Sequence, residues 1–71
     1  MEQAIEISSE MIRLGQLLKL AGVVSGGADA KALIASGQVS VNGEPELRRG
    51  RQLHPGDLVR AGTDELRIVA A

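Results

Sequence analysis

The chain contains no phenylalanine, tyrosine or tryptophan. Its core must therefore be built from leucine, isoleucine, valine, alanine and methionine. The same absence limits function, because protein modules that read single-stranded nucleic acid stack bases on aromatic rings. Only arginine planes or the sole histidine, His54, are left for that role. Cysteine is also missing, which excludes disulfides, thiolate nucleophiles and thiolate zinc sites. No apolar run approaches the roughly 20 residues that span a bilayer. Met1-Glu2-Gln3 opens without the basic stretch and apolar run of a secretory signal. These absences predict a cytoplasmic protein with no membrane contact.

With 71 residues the chain is expected to be a single domain, 1–71. Hydrophobic residues make up 44%, enough for a compact fold rather than disorder. A domain near this size buries only about 60% of the surface of its unfolded chain, so stability should be modest. The net charge of −1 argues mildly against nucleic acid, but the distribution says more than the sum. Residues 1–12 carry Glu2, Glu6 and Glu10 and no basic side chain. Residues 13–51 carry Arg13, Lys19, Lys31, Arg48, Arg49 and Arg51 against Asp29, Glu44 and Glu46, a local net of +3. Local field matters more than total charge once a phosphate comes within a Debye length.

Hydrophobic periodicity orders the elements. Ala4-Ile5-Glu6-Ile7 reads as a short strand. Ser8 and Ser9 are N-cap candidates for a helix over Glu10–Ala21, with Met11, Leu14, Leu17, Leu18 and Ala21 on one face. After the loop Val23–Gly27, a second helix is predicted over Ala28–Ser36, with Ala30, Leu33 and Ile34 inward and Lys31 off the apolar face. From Val39 the period becomes two, and Asn42-Gly43 marks a type I′ hairpin, whose two central residues need positive φ. Pro45 assigns Glu44–Leu47 to an edge or irregular strand. Arg48–Arg51 is then a basic loop and His54–Asp57 a turn. Leu58–Arg60 and Leu66–Val69 form a second hairpin through Gly62-Thr63-Asp64. Two helices followed by a small, mostly antiparallel sheet make an α+β fold.

These residues also resemble a known family. Arg13-Leu14 opens a helix, Leu18 is followed by Gly22, and Ala30-Lys31-Ala32-Leu33-Ile34 leads into Gly37-Gln38-Val39-Ser40-Val41-Asn42-Gly43. Pro55-Gly56-Asp57 then precedes a strand. The pattern, over roughly residues 12–60, resembles the S-four RNA-binding domain, named after small-subunit ribosomal protein four. Ser25-Gly26-Gly27 with Arg48-Arg49-Gly50-Arg51 is similar to a small stand-alone bacterial, YbcJ-like branch, sometimes linked to ribosome assembly. The resemblance implies a helix-loop-helix packed on a short β-element, with RNA across the helix pair. Two positions depart from it. Gly15 stands where many members have Asp, and Gly26-Gly27 where many have Ser-Arg. The second departure removes an expected phosphate contact, which Arg48, Arg49 and Arg51 are candidates to replace.

The candidate RNA contacts are thus Arg13, Lys19, Lys31, Arg48, Arg49 and Arg51. Arginine's planar fork of donors matches phosphate oxygens. From charge alone, the arginine cluster is equally a solvated loop neutralising Glu44 and Glu46, and Lys19 taken singly is ordinary helix solubility. Gln16 and Gln38 are weaker candidates, and Gly26-Gly27 reads as a connector rather than a phosphate cradle. No nucleophile elbow, acid–base carboxylate pair or His/Cys cluster is present, so neither an enzyme nor a metal or cofactor is expected.

The leading reading is a protein that binds structured RNA, ribosomal RNA first, with ribosomal proteins as further possible partners and no small-molecule substrate. Five or six phosphate contacts would give log affinity against log salt a slope of about −4 to −5. The competing reading is a protein-interaction adaptor without direct nucleic-acid binding. A ubiquitin-like sulfur carrier would end in Gly-Gly, whereas this sequence ends Val69-Ala70-Ala71. A DNA-reading helix-turn-helix would need base-edge donors that Asp29 and Lys31 do not supply.

Overall fold

The computed structural model describes residues 2–71. In chain order the elements are β1 (Glu2–Ile7), β2 (Ile12–Arg13), α1 (Leu14–Leu20), α2 (Gly27–Ala35), β3 (Val39–Val41), β4 (Glu44–Pro45), β5 (Gln52–Leu53), β6 (Leu58–Ala61) and β7 (Asp64–Ala70). Five strands form one sheet in the order β1-β7-β6-β3-β4, and β2 pairs with β5 separately. Only the β1–β7 pair is parallel, with Ile5 opposite Ile68 and Ile7 opposite Ala70. The other pairs are antiparallel, as the α+β reading expects.

Strand alternation gives the sheet one buried face. Ile5, Ile7, Val39, Val41, Val59, Ala61, Leu66 and Ile68 join Leu14, Leu17 and Leu18 of α1, Ile34 of α2 and Leu53 of β5 in one apolar cluster. Burying a leucine of this kind contributes about 1.5–3 kcal/mol. The opposite face is charged and carries two ion pairs. Arg60 pairs with Glu65 at 2.8 Å and Arg67 with Glu2 at 3.2 Å.

Asn42 (φ 52°) and Gly43 (φ 87°) turn β3 into β4, both with the positive φ expected of them. The Asn42 side chain then bonds two ways. Its Oδ1 accepts the Leu58 amide at 2.9 Å, and its Nδ2 donates to Asp57 Oδ1 at 3.0 Å. α2 lies within one residue of its predicted start and end, with Ala30 and Ile34 buried and Leu33 half-buried.

The first helix is shorter than its predicted span of Glu10–Ala21. It begins at Leu14, because Ile12 and Arg13 are extended and pair with Leu53 and Gln52. Ser9 is not its cap; its hydroxyl donates to the Met11 carbonyl at 2.8 Å. The residue flanking the helix is Arg13, whose amide donates to Gln16 Oε1 at 3.2 Å. Strand pairing over the buried Leu53 outweighs a local helix preference worth only tenths of a kcal/mol per residue. Met11, predicted on the helical face, lies outside the helix and is half-buried.

Candidate nucleic-acid interface

Residues 46–51 form a loop fastened at both ends. The Glu46 amide donates to the Val39 carbonyl at 3.0 Å, tying the loop to β3. At the other end the loop covers the start of α1. Leu14 N–H donates to the Arg51 carbonyl at 2.9 Å, and Gly15 N–H to the Arg49 carbonyl at 3.0 Å. Arg13 Nη1 donates to the Gly50 carbonyl at 3.0 Å. First-turn amides have no partner within their own helix, so loop carbonyls complete α1 here.

Inside the loop sits Glu46, whose side chain is 7% exposed. One carboxylate oxygen accepts Arg48 N–H at 3.1 Å and Arg48 Nε at 3.0 Å. The other accepts Arg51 Nη1 at 2.7 Å and Arg48 Nη2 at 3.3 Å. The Arg48 side-chain bonds, then those from Arg51 and the Arg48 amide, hold the Glu46 carboxyl at about 2, well below its ordinary value. Glu46 in turn raises the Arg48 guanidinium.

This arrangement divides the basic residues. Arg48 and Arg51 share Glu46, Arg60 holds Glu65, and Arg67 holds Glu2. Arg13, Lys19, Lys31 and Arg49 make no ion pair among the described residues. Three of these four come together. A groove of about 370 Å³ between the helix pair and the loop is lined by Arg13, Gly15, Gln16, Lys19, Gly27, Ala30, Arg49 and Gly50. No carboxylate lines it. Lys31 is exposed one helical turn beyond Gly27, on the same side of α2 by its i,i+4 spacing.

Arg48 and Arg51 line an adjoining, larger recess of about 560 Å³ with Gly50, Gln52 and His54. The six candidates thus divide between two recesses that meet at Gly50, with Lys31 beside the first. Reading the cluster as neutralising acidic residues holds for Arg48 and Arg51 toward Glu46, but Glu44 has no such partner among the described residues. Gln16 lines the groove, while Gln38 lies beside Gly62 at the β6–β7 turn. Gly26 is the extended residue before α2, consistent with a connector.

Gly15 has a local reason. A Cβ at this position would lie 2.7 Å from Arg49 Cγ and 3.3 Å from Arg49 Cδ. The bare backbone lets the Arg49 side chain lie against α1. Sequence reading noted Gly15 as a departure without seeing the contact that accompanies it, and it missed Glu46 as the loop's fastening. The available signal was a glutamate two residues before one arginine and five before another. Among the described residues, no group of three His, Asp or Glu side chains could hold a metal, and no helix is long and apolar enough to cross a membrane.

Comparison with known proteins matches this architecture to a family. The S4 domain profile covers residues 5–69. The chain belongs to the S4 domain family. Among S4 relatives, a "probable ribosome maturation protein RlbA" of Bacillus subtilis is 51% identical over 59 residues, 83% of each chain. A "putative RNA-binding protein YbcJ" of Escherichia coli is 39% identical over 59 residues, 83% of this chain and 84% of that one. A third, "small ribosomal subunit protein uS4m" of Schizosaccharomyces pombe, is 47% identical over 47 residues, 66% of this chain but 14% of its own length. The two small bacterial relatives match this chain over most of their length, as the resemblance to the stand-alone branch implied.

Proposed function

We propose that this S4 chain binds structured RNA, ribosomal RNA in particular, through the groove between its helix pair and the 48–51 loop, and acts in ribosome maturation. The observation that carries this reading is the segregation of charge. Among the described residues, the basic side chains without carboxylate partners, Arg13, Lys19, Lys31 and Arg49, lie on or beside one groove, while the paired Arg48 and Arg51 line the adjoining recess and Arg60 and Arg67 the outer sheet face. An unneutralised cation attracts phosphate, whereas two arginines sharing one carboxylate offer a net charge of only +1. The printed names of the RlbA and YbcJ relatives point the same way. The absence of aromatic rings favours backbone and shape recognition of folded RNA over base stacking.

Binding to folded ribosomal RNA fragments over a salt series tests this reading. Four phosphate contacts give a slope of log affinity against log salt of roughly −3. That is shallower than six independent contacts would give, because Arg48 and Arg51 are engaged with Glu46. A slope near zero, or no binding at low salt, contradicts the proposal and leaves the adaptor reading in its place.

A further inference from the structure

We propose that Glu46 is a positioning residue for RNA: its carboxylate sets the shape of the 48–51 loop that completes the groove, so removing this negative charge weakens binding of a polyanion. The inference rests on the RNA-binding reading above. It runs against simple electrostatics, because Glu46→Gln moves the net charge from −1 to 0 and frees two arginines.

Three observations carry it. First, a carboxylate offers about four acceptor positions. Glu46 uses four, for Arg48 N–H, Nε and Nη2 and for Arg51 Nη1. A glutamine keeps one acceptor oxygen and turns an NH2 donor toward guanidinium donors. Second, Glu46 is anchored independently of its side chain, by its amide on Val39 of the sheet. The carboxylate thus links a fixed strand to the part of the loop that meets the start of α1. Third, that loop supplies two carbonyls to the first amides of α1 and a third to the Arg13 side chain just before it. Arg49 and Arg51 accept the Gly15 and Leu14 amides, and Gly50 accepts Arg13 Nη1. Glu46 itself does not line the groove, so its influence passes through Arg48 and Arg51 to the placement of Arg49 and Gly50. With its carboxyl held at about 2, the group stays ionised throughout the range in which RNA binding is measured.

The test compares the full chain with its Glu46→Gln and Glu46→Asp variants in two measurements. The first is affinity for a folded ribosomal RNA fragment at fixed salt. Glu46→Gln is expected to bind roughly ten-fold more weakly, the scale of one charge-assisted hydrogen bond, with Glu46→Asp between it and the parent. The second is amide hydrogen exchange without RNA. Leu14 and Gly15 are expected to exchange faster in Glu46→Gln, while Val59 and Leu66 in the sheet keep their protection. General destabilisation would instead speed all four. Equal or tighter RNA binding by Glu46→Gln overturns the proposal, as does unchanged exchange at Leu14 and Gly15. If Glu46→Gln does not fold, the aspartate variant decides by the same two readouts, and parental values in either overturn it. If the parent chain itself binds no RNA, the RNA reading fails, and exchange alone decides whether Glu46 sets the loop.

Discussion

Gly15 and Arg49 are joined twice: the Gly15 amide donates to the Arg49 carbonyl at 3.0 Å, and the Arg49 side chain occupies the space a Cβ on residue 15 would need. Gly15→Ala separates the two effects. Alanine improves helix propensity by up to about 1 kcal/mol, which offsets the cost of displacing Arg49, so the melting temperature should change little. The new methyl would lie 2.7 Å from Arg49 Cγ and 3.6 Å from the Arg49 carbonyl, so Arg49 must swing about its Cα–Cβ bond to make room. RNA affinity should therefore fall in a variant of near-parental stability. Thermal melts read beside binding titrations check this, and parental affinity in Gly15→Ala would show that Arg49 need not lie against α1.

Position should matter more than charge number. Lys19→Gln and Arg60→Gln each remove one positive charge, but Lys19 lines the groove and Arg60 is paired with Glu65 on the sheet's outer face. Lys19→Gln should weaken RNA binding and make the salt slope shallower by roughly 0.7–0.9, the change for one lost phosphate contact. Arg60→Gln should leave the slope at the parental value. Equal losses in both would mean that the RNA senses only overall charge.

The pH dependence of the loop follows from Glu46. Its folded carboxyl titrates at about 2, below its ordinary value of 4.5. A depressed carboxyl contributes stability that is fully present above 4.5 and is lost as pH falls toward 2. The loop should thus keep its form from neutral pH down to about 4.5 and loosen below it. Carboxyl-carbon NMR of the protein without RNA would show Glu46 titrating well below the ordinary value of 4.5. A Glu46 midpoint near 4.5 would contradict the buried pairing with Arg48 and Arg51.

Local sequence signals carried much of this fold. Asn42-Gly43 gave its hairpin because positive φ at two adjacent positions narrows the choice of residues, and Pro45 marked the sheet edge because it has no N–H to donate. The start of α1 was not legible. Whether Ile12-Arg13 is helical depends on Gln52-Leu53, about 40 residues away, and no local propensity contains that pairing. The site divides in the same way. All six candidate residues stood out by type and charge, yet which of them are neutralised depends on Glu46 reaching 6% exposure inside its own loop. Burial of a glutamate by two flanking arginines is a tertiary outcome, and net charge along the sequence does not report it.

The interface can be mapped most directly by titrating a folded ribosomal RNA fragment into the isotope-labelled chain and following its amide resonances. Binding through the groove predicts the largest shifts at Gly15, Gln16, Lys19, Gly27, Lys31, Arg49 and Gly50, with Glu2, Arg60, Glu65 and Arg67 on the outer sheet face unmoved. Shifts concentrated on that face, or at Arg48, Arg51 and His54 with the groove silent, would contradict it.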